Sequence, residues 1–185
     1  MFNLYTELNS YVPFDMVEAE SRRASISFLN AGQNCFSRTN EKGHFTAGGL
    51  VVDGKGGVLL NHHKKSGMWF QFGGHCDGDI DVLRSALREL REESGITKCH
   101  LLLPGIFDVN VVKIADCPQK GEPEHVHYDI NFLFVVKSKK FKISKESTEI
   151  KWVSISEAQK LISPTDVGMV RMLKKYERLL GGKMV

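Results

Sequence analysis

The stretch GGHCDGDIDVLRSALRELREESGI, Gly73 to Ile96, sets two adjacent glycines ahead of a run with helical apolar spacing. Leu83, Ala86, Leu87 and Leu90 fall on one stripe of a helical wheel. That predicts a helix from about Asp79 to Ser94, packed on a neighbouring layer and ended by Gly95, which suits a left-handed cap. Glu89, Glu92 and Glu93 stand at i, i+3 and i+4 and share a different face. Like charges at that spacing repel and weaken a helix. A charged amphipathic helix is the plain alternative, yet nothing in packing calls for three stacked carboxylates. A divalent cation turns the repulsion into coordination, because hard cations take several carboxylate oxygens and fill the rest of their shell with water or phosphate oxygen. The Gly73-Gly74 pair lets backbone approach such an ion closely. Arg88, one turn before Glu92, is positioned to hold a carboxylate by an ion pair.

Outside this segment the period changes. HFTAGGLVVD (44–53) and GVLLNHH (57–63) are β-rich runs around a glycine-rich turn, and MWFQF (68–72) reads as a third short strand. LLLPGIFDVNVVKIAD (101–116) and HVHYDINFLFVVKS (125–138) are further strand regions joined by a loop with Pro118, Gly121 and Pro123; IKWVSI (150–155) is the last strand. Ser154 with Glu157 is a capping-box pair for one helix. Ser163-Pro164 begins a second, which runs through Leu180 ahead of Gly181. At the other end, Phe2, Tyr5 and Leu8 recur at helical spacing, and Met16 to Leu29, behind Pro13 and Asp15, reads as a longer amphipathic helix. Hairpins mixed with helices predict the α/β class, a mixed β-sheet in an α/β/α sandwich. Residues 1–40 form an N-terminal helical extension packed on a main domain of residues 41–185.

A length of 185 residues suits one domain with an appendage. The formal net charge of +3 is too small to point to nucleic acid, and the basic run Lys137 to Lys145 reads as a solvated loop. The N-terminus has no secretory pattern, and no apolar run is long enough to cross a bilayer, so no membrane partner is expected. Cys35, Cys76, Cys99 and Cys117 make no CxxC pair, which fits reduced thiols in a cytoplasm.

The acidic segment resembles the signature of the Nudix (MutT-like) hydrolases, G-x5-E-x7-R-E-U-x-E-E-x-G-U, where U is a bulky apolar residue. Gly74 supplies the first glycine, and RELREESGI (Arg88–Ile96) matches every fixed position of the second half. The chain departs from the pattern at Ile80, where the family carries a glutamate; Asp79 is the candidate to brace the loop instead. The resemblance extends from about Gly43 to the C-terminus. It implies the Nudix fold and a Mg2+- or Mn2+-dependent pyrophosphohydrolase that breaks a phosphoanhydride bond in a nucleoside diphosphate linked to another moiety. By position it implies Glu92 and Glu93 as metal ligands, Glu89 as a ligand or the base, the Gly73 carbonyl as a further ligand and Arg88 as their positively charged neighbour. A carboxylate from a later loop completes such sites; Glu146 is the candidate and Glu149 the alternative. Homodimerisation through the N-terminal helices is a further expectation. A nucleotide-binding module without turnover is the competing reading.

Four of the seven histidines are grouped in an unusual way. His44 opens a strand, His75 follows the double glycine, and His125 and His127 alternate on one strand and share a face. Four neutral imidazoles suit Zn2+ or a similar transition metal, although a hydrogen-bonded core histidine is the commoner fate. The grouping is similar to that of isopentenyl diphosphate isomerase, a relative on the same fold: GHF (43–45), GGH (73–75) and HVH (125–127) of this chain occupy places comparable to its metal-holding segments. The resemblance would require a catalytic cysteine where this chain has Gly73, and Cys76 lies on the other side, so isomerase chemistry is the weaker alternative. Trp69, Phe70, Tyr128 and Trp152 fit either a nucleobase stack or the core, and His62 to Lys65 either a phosphate contact or a solvated turn.

Overall fold

The computed structural model describes residues 2–32, 34–116 and 123–182; Cys117, Pro118 and Gly121 lie outside the described residues. In chain order the elements are α1 (Leu4–Ser10), α2 (Met16–Ala31), β1 (Gly43–Val52), β2 (Gly57–His63), β3 (Met68–Phe70), β4 (Phe72–His75) and α3 (Val82–Ser94). There follow β5 (His100–Leu101), β6 (Asp108–Ile114), β7 (His125–Val135), β8 (Ser147–Ser154), α4 (Ile155–Leu161) and α5 (Val167–Leu180).

The sheet is mixed and is organised on β1, which is buried along its whole length. One edge of β1 pairs in parallel with β7 from Gly43↔Val126 to Val52↔Val135. The other edge is divided: β4 takes Thr46 to Gly49, and β2 takes Val51 and Val52, both antiparallel. The far edge of β7 is shared in the same manner by β6 and β5, and β8 covers β2 from Gly57 to His63. The segment MWFQF is therefore not one strand. It runs beside β2 as β3, breaks at Gln71 and rejoins the sheet against β1 as β4. The break delivers Gly73 and Gly74 to the middle of the sheet.

The pleat sorts side chains to two cores. Phe45, Ala47, Val51, Leu59 and Phe72 pack with Val82, Ala86 and Leu90 of α3 and with Leu4 and Leu8 of α1. Leu50, Val52, Val58 and Leu60 pack with Ala158 of α4 and Met169, Met172, Leu173 and Tyr176 of α5. This is the α/β/α sandwich that the alternation of helices and hairpins predicts. The helix boundaries differ at two places. Asp81 caps α3, its carboxylate accepting the Arg84 amide, because Asp79 is drawn off into an ion pair with Arg84. Asp166, not Ser163, caps α5, so Pro164 lies before the helix and not in its first turn. Leu87 also differs from its predicted place on the apolar stripe: it is 39% exposed, and Val82 takes the buried position instead. The C-terminus of α3 ends as the sequence suggests, with Gly95 in the left-handed region at φ 68 and its amide on the Arg91 carbonyl.

The N-terminal helices are fastened by a buried polar cluster without a sequence signature. Lys175 of α5 donates to Glu18 of α2 at 2.5 Å, to Asp108 of β6 at 2.9 Å, and to the Tyr11 hydroxyl and Phe107 carbonyl. Arg171 forms a two-pronged pair with Asp108 at 2.7 and 2.8 Å. All four charged groups are buried, two of each sign. Removing one member leaves a buried charge uncompensated, which costs about 3–5 kcal/mol. Lys175→Met is accordingly expected to lower the unfolding free energy by about that amount in urea denaturation; a loss below about 1 kcal/mol, the range of exposed pairs, would contradict the assignment.

Candidate active site

The acidic site forms where α3 crosses β4. Gly74 makes the contact possible: a Cβ there would stand 2.6 Å from the carboxyl carbon of Glu89. Glu93, one turn further on, is buried; its Oε2 accepts the Gly73 amide at 2.8 Å and its Oε1 the Asn61 side-chain amide at 3.1 Å. Glu92 points outward, with 55% of its side chain exposed. Arg88 bridges the group. It donates to Glu89 at 2.6 Å and lies 3.5 Å from Glu92, while its other nitrogen donates to the His75 carbonyl at 2.6 Å. Glu89, Glu92, Glu93, Arg88 and Gly73 are thus gathered at one helix–strand crossing.

The electrostatics match that crowding. Burial pushes the Glu93 carboxyl up to about 7; Glu89 and Glu146 push the same way, against the Gly73 amide and the Asn61 side chain. Burial likewise raises Glu89 above the usual carboxylate range despite the Arg88 guanidinium. Glu146 sits in the loop before β8, its carbonyl accepting the Lys64 amide at 2.8 Å. Both later candidates are exposed; Glu146 is the one whose charge is felt at Glu93, whereas Glu149 lies on β8 beside Lys151. Asp79 braces the loop before α3, accepting the Asp81 amide at 2.9 Å and pairing with Arg84 rather than Arg88.

One residue in contact with the glutamates escapes a reading of the sequence alone. Asn61 is 1% exposed, and its side-chain oxygen has no partner. Asn61 had a signal, a polar side chain inside the otherwise apolar GVLLN run. Hard carboxylate oxygens beside the unpaired Asn61 amide oxygen fit Mg2+ or Mn2+ with its waters, which supply the missing donor.

The histidines converge at the end of the same strands. His44 and His127 are register partners on β1 and β7, and His75 of β4 pairs with Thr46. The ligand nitrogens of His44, His125 and His127 lie within 4.8 Å of one another. The His75 ring centroid is 4.9 Å from that of His44 and 5.2 Å from that of His127. Burial, and then the neighbouring rings, hold His127 down to about 3, and burial also lowers His44, so these imidazoles are neutral. A Cβ at Gly73 would meet the Gly48 Cα at 2.7 Å, so this backbone has no room for an isomerase cysteine at that position. Phe45 and Tyr128 pack with Phe28 of α2 rather than lining an open face.

The NUDIX domain family model matches residues 42–176. The chain belongs to the Nudix family. It is 27% identical over 161 residues to the Nudix hydrolase YvcI of Bacillus subtilis, covering 85% of this chain and 87% of that one. Among solved structures it resembles a Nudix hydrolase from Listeria monocytogenes (TM-score 0.57, 19% identity, 76% of this chain and 97% of that one). It also resembles an Ap4A hydrolase from C. elegans in a binary complex (TM-score 0.56, 21% identity, 75% and 98%). These likenesses confirm the Nudix fold. No helix among the described residues is long and apolar enough to cross a membrane.

The raised carboxyl of Glu93 gives a signed pH effect. Its folded value lies above the unfolded one, so its contribution to stability is full below about 4.5 and is lost as pH rises through about 7. In EDTA, the stability of wild type relative to Glu93→Gln should fall by up to about 3 kcal/mol between pH 5 and pH 8, and millimolar Mg2+ should restore it. A difference independent of pH, read by chemical denaturation, would contradict this.

Proposed function

We propose that the protein is a Mg2+- or Mn2+-dependent pyrophosphohydrolase that cleaves a phosphoanhydride bond in a nucleoside diphosphate linked to another moiety. The observation that carries the reading is the packing of buried Glu93 and half-buried Glu89 against the side-chain-free Gly73-Gly74 strand, with Glu92 beside them at the open edge. Residues 41–185 form the catalytic domain, and residues 1–40 an extension fixed to it by the Glu18 cluster. Bound divalent cations supply charge neutralisation to the diphosphate and acidify a water.

The side chains have separate tasks. Glu92 and Glu93, with the Gly73 carbonyl and Glu146, would hold the cations. Glu89, raised above its usual range, is suited to take the proton from the attacking water at its carboxylate. Arg88 holds Glu89 by its 2.6 Å pair and fixes the carboxylate's direction. The substrate is a small molecule, the location the cytoplasm, and a second copy of the chain is accommodated through Val12, Met16 and Val17, exposed on the N-terminal segment.

A panel of nucleoside diphosphate derivatives, assayed by phosphate release with Mg2+ or Mn2+, tests the reading. Glu92→Gln and Glu93→Gln are each expected to lower kcat at least 100-fold, equivalent to about 2.7 kcal/mol, while Glu149→Gln stays within about twofold, as expected of an exposed ion pair. Metal binding without turnover on every substrate would favour a nucleotide-binding module, and unchanged turnover in both glutamine variants would remove the assignment.

A further inference from the structure

We propose that His44, His75, His125 and His127 hold one transition-metal ion of the zinc class on the sheet face turned away from α3. Phe45, Ala47 and Phe72 point to α3, so the pleat directs His44 and His75 to the opposite face. Register brings His127 beside His44, and His125 lies two residues earlier on the same face. Three neighbouring strands, β1, β4 and β7, therefore each contribute to one point.

His44 is the observation that calls for a ligand. It is 3% exposed, and neither ring nitrogen completes a hydrogen bond, although the Asn40 backbone is near enough to favour its protonated form. Burying an imidazole with its polar atoms unsatisfied is costly unless something else occupies the lone pair. His125 is already oriented as metal-bound histidines are. Its Nδ1 lies 2.7 Å from the Pro123 carbonyl, which only accepts, so Nδ1 carries the proton and Nε2 presents its lone pair. That Nε2 is 3.0 Å from Nε2 of His127. Two imidazole ligands on a tetrahedral zinc stand about 3.3 Å apart, given bonds of about 2.0–2.1 Å, so the pair is close to ligand spacing. Without an ion His127 donates to His125; with one, its proton moves to Nδ1 and both Nε2 atoms face the metal.

The donor set separates this centre from the acidic one. Imidazoles select zinc, nickel or cobalt, whereas the carboxylate edge selects magnesium or manganese. The two centres sit on opposite faces of the sheet, share β4 and are joined through one residue: the His75 carbonyl accepts from Arg88, and Arg88 holds Glu89. An ion on the histidines ties the end of β4 to β1 and β7, and thereby restrains the carbonyl that orients Arg88.

Untagged protein, stripped with chelator and titrated with Co2+, tests the proposal independently of hydrolysis. A visible d–d band saturating at one equivalent and quenched by Zn2+ is expected in wild type. The same band is expected in Glu92→Gln, which disables only the acidic site, and in His100→Ala, which alters an exposed histidine outside the group. His44→Ala and His127→Ala should bind at least tenfold more weakly. No band in wild type, or undiminished affinity in both alanine variants, overturns the proposal. The wild-type titration decides between these outcomes even if either variant fails to fold.

Discussion

Everything at the acidic centre follows from carboxylates packed against a strand that has no side chains to keep them away. Glu89 fills the space in which a side chain at position 74 would stand, and Glu93 hydrogen-bonds the backbone one residue earlier. Among the described residues Arg88 is the cation in direct contact with the group, and its pairs reach Glu89 and Glu92 rather than Glu93. Buried negative charge without full compensation is unstable unless it is protonated or meets a cation. The raised Glu93 and Glu89 carboxyls are the proton solution; divalent metal is the other. A substrate carrying a diphosphate needs the second, since only the metal-bound form attracts its charge.

The sheet serves this constraint. Because β1 divides one edge between β4 and β2, β4 ends in the interior of the layer instead of running along it. The chain then turns through a loop braced by the Asp79–Arg84 pair and crosses back as α3, so its glutamates meet the glycines that preceded them. On the reverse face β1, β4 and β7 align the histidines. One short segment, Phe72 to His75, is common to both centres, and its backbone carries the connection through Arg88. The extension is part of the same object: Glu18 reaches Lys175 across 157 positions of sequence and anchors α2 over β6.

What was readable in the sequence was local. Glutamates at helical spacing, Gly95 behind them, the Ser154–Glu157 box and the alternation of His125 with His127 all depend on residues a few positions apart, where periodicity alone determines the face. The α/β/α layering followed from the same periods. What was not readable required distant partners. The Glu18, Asp108, Arg171 and Lys175 cluster has no motif, since each member is an ordinary charge until the fold brings it to the others. The break at Gln71 depends on which strand MWFQF pairs with at each end, and Leu87 lost its buried place to Val82 once the helix began at Asp81. At the acidic centre, the spacing singled out the three glutamates, but only the tertiary structure brings the charge of Glu146 and the Asn61 side chain to Glu93.

Divalent metal at the α3 edge is what the proposed chemistry requires, and anomalous diffraction from a crystal grown with Mn2+ addresses that directly. The prediction is a manganese peak about 2–2.3 Å from carboxylate oxygens of Glu92 and Glu93, the range of hard-cation bonds to oxygen. Glu93 still bonded to Gly73 and Asn61, Glu92 facing solvent and no peak between them would contradict it.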